Sequence, residues 1–212
     1  MNKQGLSLHP LAKALACVAL LGSLSGCVGL VAGGAVMTAV SANDRRTLGA
    51  QTEDKAIAVK GEMKANNITG ADGHVNVTSF NRRVLLTGEV RDAAMKAAVE
   101  RDIRAIDGVT LVVNELEAAP PSKYTSRSND ALITTKVKAS LVDMQTVSAA
   151  SFKVVTERGN VYLMGRVTPR EAQVATDVAR GVSGVQKVVR VFEYLNDIDL
   201  KALPAATEAT GS

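Results

Sequence analysis

Two stretches decide the fold: VNVTSFNRRVLLTGEV, residues 75–90, and FKVVTERGNVYLMGRV, residues 152–167. Laid one over the other, Val77 meets Val154, Val84 meets Val161, Leu86 meets Leu163, Gly88 meets Gly165 and Val90 meets Val167. Each stretch is apolar and β-branched on both sides of a polar break, which is the pattern of strand, turn, strand. The second turn is placed at Gly159-Asn160. Gly88 and Gly165 fall inside strands, where a glycine marks close approach of another backbone; a crossing helix is the expected neighbour.

Working outward, IDGVTLVVNEL (residues 106–116) matches VSGVQKVVRVF (182–192), and VKGEM (59–63) matches VKASL (137–141). The chain is therefore a tandem repeat. In the second unit Ser128, Asn129 and Asp130 offer N-cap chemistry, and Ile133, Val137 and Leu141 recur on one helical face. FKVVTE and NVYLMGRV are strands. TPRE, residues 168–171, is a capping box with Pro169 at the first helical position. Ala175, Val178, Ala179 and Val182 line that helix, Gly184 ends it, and QKVVRVFEY is the last strand. The first unit repeats the order, with Val59 and Met63, then VNVTS, RVLLTGEV, the stripe Met95, Val99, Ile103 and Ile106, and TLVVNEL. The fold class is α+β: two αββαβ domains, each a mixed three-stranded sheet with two helices on one face.

The expected organisation is a signal at 1–26, a lipidated N-terminus and tether at 27–50, a first domain at 51–118, a Pro/Ser-rich linker at 119–129, a second domain at 130–196 and a flexible tail at 197–212. The signal rests on Lys3 and Lys13, the apolar run ALACVALLGSLSGC (14–27) and small residues at its end. Leu24-Ser25-Gly26-Cys27 is similar to a bacterial lipobox, in which the cysteine is lipidated and becomes the first residue. Val28, not aspartate, favours the outer membrane over inner-membrane retention. The rival is a membrane-spanning helix, for which the run is long enough, with Gly22, Gly26, Gly29, Gly33 and Gly34 weighing against it. With Cys17 removed and Cys27 acylated, no thiol is left for a disulfide.

Charge is uneven. Residues 44–118 hold 11 basic and 12 acidic side chains, whereas residues 119–196 hold 11 basic and 6 acidic. The second half is electropositive, which suits an anionic partner, and for an exported lipoprotein that partner is lipid. Catalysis is not expected. His74 is the single histidine after the signal, no G-x-S-x-G nucleophile motif or phosphate-loop spacing occurs, and no cofactor or metal is implied. Nucleic acid is disfavoured by the absence of tryptophan and the scarcity of other aromatics.

VLLTGEV with IDGVTLVVNEL, and VYLMGRV with VSGVQKVVRVF, resemble the BON domain family. The lipobox, NDRRTLGAQTED (43–54) and SNDALITTKVKASL (128–141) are similar to the dual-BON outer-membrane lipoproteins of that family. The resemblance implies the αββαβ fold and a non-enzymatic role in outer-membrane integrity. It also implies that the first helix of the second domain binds anionic, phosphatidylglycerol-like phospholipid through Leu132, Ile133, Lys136, Val137 and Lys138. One member carries tryptophan where this chain has Leu132, so the interfacial hydrogen bond of an indole is lost here. Ile133 and Val137 also fit a core stripe with Leu132 at its rim. The alternative function is a protein-interaction adaptor for outer-membrane assembly machinery, with lipid contact incidental.

Overall fold

A computed structural model describes residues 44–120, 122 and 124–196. Cys27, the signal, the tether up to residue 43 and the tail from residue 197 lie outside the described residues. The first domain runs α1 (Leu48–Thr69), β1 (His74–Phe80), β2 (Arg83–Val90), α2 (Ala93–Arg104), β3 (Leu111–Asn114) and β4 (Glu117–Ala118). The second runs α3 (Tyr124–Asp143), β5 (Phe152–Glu157), β6 (Asn160–Val167), α4 (Pro169–Arg180) and β7 (Lys187–Tyr194). Both sheets are mixed: β1 pairs β2 and β5 pairs β6 antiparallel, while β3 and β4 pair β2 and β7 pairs β6 in parallel. The first domain's last strand is broken at Glu115-Leu116, and Leu116 turns into the core.

Alternation along the strands divides the side chains between two layers. Val77, Val84, Leu86 and Val90 face α1 and α2, and Val154, Val161, Leu163 and Val167 face α3 and α4. The opposite faces meet each other. Phe80 and Leu85 of the first sheet pack on Tyr162, Met164 and Val191 of the second, with Val113, Val155 and Val189 around them. The two domains are therefore one sandwich, sheet against sheet, with helices outside. Leu85 and Met164 are fully buried there, so separating the domains would expose surface as apolar as either core.

Several local expectations change. Val59 and Met63 do not face the core of α1; they are 58% and 61% exposed. The buried face is Asp54, Ile57, Gly61, Ala65 and Thr69. Small residues let the helix lie close to β1: a Cβ on Gly61 would fall 2.7 Å from Val77 Cγ1. Helix α3 begins at Tyr124, inside the stretch read as linker, so Asp130 is not its cap. The second hairpin turns on Arg158 and Gly159, φ 51° and 76°, one residue earlier than placed, and the first turns on Asn81 and Arg82, φ 49° and 64°. Helix α4 has the capping box at Thr168 and Glu171 but ends at Arg180. Gly184 lies beyond it, at φ +97° against Ile133, so Val182 packs from the following turn. No α-helix crosses at Gly88 or Gly165: an added Cβ would meet His74 O of β1 at 2.0 Å, and Ser151 O, in the 3-10 turn that leads into β5, at 2.5 Å.

Candidate functional site

Helix α3 is held to its own sheet by three successive contacts. Asp130, 5% exposed, accepts from the backbone N–H groups of Arg158 and Gly159 at 2.9 and 2.8 Å. One turn on, Thr134 Oγ1 bonds Thr156 Oγ1 at 2.7 Å. Ile133, Val137 and Leu141 fill the core beneath. Of the five residues expected to contact phospholipid, Ile133 and Val137 are thus interior, 1% and 0% exposed, and shape the helix from below. Leu132, Lys136 and Lys138 are exposed.

At about 100° per residue, the exposed arc of α3 runs from Lys138 through Ala131, Val142, Thr135, Ser128, Ala139, Leu132, Thr125 and Asp143 to Lys136. Leu132 and Val142 are 61% and 65% exposed. Leu132 and Val142 thus expose apolar surface between two lysines, neither with an ion-pair partner among the described residues, and Asp143 lies on the same arc near the helix end. Apolar contact flanked by long cationic side chains is the arrangement of helices that lie on a bilayer surface.

The seam between the domains carries the charged groups. At one end the segment before α1 is strapped across it. Arg45 Nη1 and Nη2 reach the Glu171 carboxylate at 2.8 and 2.6 Å, Arg45 Nη1 donates to Arg166 O at 3.0 Å, and Arg166 Nη1 returns a bond to Arg45 O at 3.1 Å. Arg46 stacks on the Phe80 ring at 4.0 Å and bonds Asp44 and Asp54. Asp54 is the counterpart of Asp130: it accepts from Asn81 N, Arg82 N and Ser79 Oγ.

At the other end a carboxylate is buried with little to hold it. Glu89 is 0% exposed, and among the described residues neither oxygen has a hydrogen-bond donor. The basic groups nearest it among the described residues are His74 Nδ1 at 3.9 Å and Arg158 Nη1 of the second domain at 4.0 Å; Arg158 also pairs with Glu117 at 2.9 Å. Glu157 accepts from Asn76 Nδ2 at 2.9 Å. Burial pushes the His74 imidazole down, the Arg127 charge acts the same way, and Glu89 opposes both. Burial pushes the Glu157 carboxyl up, and the charges of Glu89 and Asp130 add to it while Asn76 and Arg127 oppose. An open cleft of about 360 Å³ runs from these groups along β5 and α3. His74 is therefore a seam residue, 28% exposed at its side chain and not simply on the surface. Sequence spacing did not signal this, because Glu89 comes to His74 across the β1–β2 pairing and Arg127 acts on it from the other domain. Among the described residues no helix is long and apolar enough to cross a membrane, and no cluster of His, Cys, Asp and Glu gathers as a metal site.

The model of the BON domain family matches residues 54–120 and 129–196. The chain belongs to the BON domain family. Each BON match coincides with one αββαβ unit, apart from the opening turns of α1 and α3. The outer membrane lipoprotein DolP of Haemophilus influenzae is 37% identical over 90% of this chain and 100% of its own length. The 21 kDa hemolysin of Actinobacillus pleuropneumoniae is 32% identical over 72% of this chain and 79% of its own. More distant is the C-terminal domain of CdsD, a structural protein of the Chlamydia trachomatis type III secretion system. It is 11% identical, covers 63% of this chain and 96% of that one, and has a TM-score of 0.29. With two BON domains and the DolP relative spanning nearly all of it, the chain is a dual-BON outer-membrane lipoprotein.

Proposed function

We propose that the protein is a non-catalytic, lipid-anchored binding module that contacts anionic phospholipid on the periplasmic face of the outer membrane and supports that membrane's integrity. Cys27 carries the acyl anchor, and α3 makes the headgroup contact through Leu132, Lys136 and Lys138. The observation that supports this most is the exposed arc of α3, on which the apolar side chains of Leu132 and Val142 lie between Lys136 and Lys138. It lies in the half of the chain where basic residues outnumber acidic ones. Each lysine near an anionic surface contributes about 1 kcal/mol, and the contribution is screened by salt.

The test is a titration of the acyl-free chain, both domains together, into phosphatidylglycerol vesicles at low salt with chemical-shift mapping. Both domains are needed because a lone second domain would bare Tyr162, Met164 and Val191. The expected result is binding that perturbs α3 and is lost in Lys136→Gln/Lys138→Gln. A chain that ignores anionic vesicles would leave the adaptor reading, in which the surface docks assembly machinery. Fatty-acid labelling with a Cys27→Ala control tests the anchor, and membrane retention of unlabelled protein would point to a spanning helix.

A further inference from the structure

Arg83 opens β2 and turns to the seam. Val84 beside it points to the helices, whereas Leu85 and Phe80, the residue paired with Arg83 across the hairpin, lie between the sheets. Arg83 is partly buried. Its Nε is sequestered from solvent without an acceptor, and its guanidinium has no ion-pair partner among the described residues. The arginines around it are neutralised: Arg45 by Glu171, Arg46 by Asp44 and Asp54, Arg82 by Glu53 and Arg166 by Glu193.

Arg83 lines an open cavity of about 790 Å³. The first turn of α1 forms one wall at Gly49 and Ala50, the start of β3 forms another at Thr110 and Leu111, and Glu193 of β7 lines it from the other domain. Both carboxylates of the lining are engaged. Glu53 takes Arg82 Nε at 2.6 Å, and Glu193 takes Arg166 Nε at 2.9 Å and Asn81 Nδ2 at 2.7 Å. Arg83 therefore leaves the cavity one positive charge that nothing in its lining offsets. Leu111 is 38% exposed, and β3 ends the first sheet with no strand beyond it among the described residues.

We propose that this cavity recognises the carboxylate of an extended polypeptide, which Arg83 holds while the chain continues along the open edge of β3. The single charge sets the class of ligand. A guanidinium takes a planar carboxylate through two parallel N–H···O bonds. A phosphate with two charges would put the second beside Glu53 and Glu193 with no cation to offset it. Leu111 and the open edge of β3 then suit a polypeptide, which adds a strand to a sheet through main-chain hydrogen bonds. Because Glu193 comes from the second domain, the cavity is complete only when the two sheets are packed. No residue of α3 lines it, so the site is separate from the lipid contact and does not rest on it.

The experiment titrates the acyl-free full chain with an acetylated peptide of alternating threonine and valine that ends in a free carboxylate, and with the same peptide as its carboxyl amide. Backbone amide shifts report binding. The free acid is expected to give saturable shifts at Gly49, Thr110 and Leu111, and the amide to bind more than ten-fold more weakly. Arg83→Met is expected to weaken the acid more than ten-fold, the effect of losing a charged hydrogen bond. Arg83→Lys, which keeps the charge without the fork, should fall between. Thermal melts of both variants should match wild type, since Arg83 pairs with no other side chain. Equal binding of acid and amide overturns the carboxylate reading. Shifts confined to α3, or none at millimolar peptide, overturn the site. Displacement of the peptide by inorganic phosphate at equal concentration overturns the charge argument. If phosphatidylglycerol vesicles shift the same three amides and the peptide does not, the ligand is lipid and the polypeptide reading is wrong.

Discussion

Arg45, three residues ahead of α1, is bonded through both terminal nitrogens to Glu171 in the first turn of α4, in the other domain. The pair ties the start of the first domain to the capping box of the second. Burial alone would raise the Glu171 carboxyl. Hydrogen bonds from Arg45 and Thr168, with the Arg45 charge, outweigh it and hold the carboxyl below its ordinary range. A depressed carboxyl contributes stability above its unfolded value, about 4.3, and loses it as pH falls through the folded value. Arg45→Ala is expected to cost on the order of 1–2 kcal/mol at pH 7. Denaturant unfolding at pH 7 and pH 3 checks this: the deficit should shrink in acid, and a pH-independent deficit would mean that packing, not the ion pair, was lost.

Asp54 and Asp130 clasp the two hairpins in the same way, each with its oxygens on two turn N–H groups. Removing such a carboxylate leaves buried donors without partners. Asp54→Ala is expected to cost about 3–5 kcal/mol, since Arg46 loses its partner as well. Asp130→Ala, which leaves the amides of Arg158 and Gly159 without their acceptor, should cost less, on the order of 2–3 kcal/mol. Chemical denaturation of the two variants reads the order directly.

The hairpins and the strands were legible because apolar alternation and polar breaks are local signals. Observed β2, β5 and β6 coincide with the read stretches residue for residue. Helix α1 was legible as a helix but its buried face was not, because that face holds Gly61, Ala65 and a charged Asp54 while Val59 and Met63 point outward. Hydrophobicity therefore pointed to the wrong side. The sheet-to-sheet seam was hidden for another reason: strands apolar on both faces announce burial on both sides but not what covers the second. In the candidate site, Leu132, Lys136 and Lys138 are exposed as a lipid contact requires, whereas Ile133 and Val137 obey the core stripe.

The seam should make stability respond to mild acid. His74 has a depressed folded value, so below about pH 6.5 the unfolded chain takes a proton that the folded one resists, and folding loses stability as pH falls. Glu157 has a raised folded value, so the folded chain takes a proton first and gains stability over the next span of acid. His74→Gln is expected to flatten the stability profile between about pH 7 and pH 5.5. Glu157→Gln should be more stable than wild type at pH 7, because it removes a charge that burial penalises. Thermal melts across that range test both, and a Glu157→Gln melt below wild type at pH 7 would contradict the burial argument.

Gly88 sits at φ +113° with His74 O where a Cβ would go. Gly88→Ala must therefore push β1 away from β2 as well as strain its own backbone. The expected loss is about 3 kcal/mol or more, above the usual range for a point substitution. Gly165, whose clash distance is 2.5 Å, should be the less severe of the two in the same melt.

Leu132 separates lipid contact from folding most cleanly, because it is exposed while its neighbour Ile133 is buried. Leu132→Ser removes apolar contact and leaves the core intact, so vesicle binding should fall roughly ten-fold, the loss expected for most of a leucine's transfer energy. Its melting temperature should stay within a degree or two of wild type. Leu132→Trp should bind more tightly than wild type, since indole combines a larger apolar area with an N–H that bonds at the interface. Ile133→Ser should unfold the second domain before lipid is ever tested, at a cost of about 3–5 kcal/mol. Vesicle co-sedimentation beside thermal melts resolves the three. Equal binding by Leu132→Ser, Leu132→Trp and wild type would move the contact off this helix.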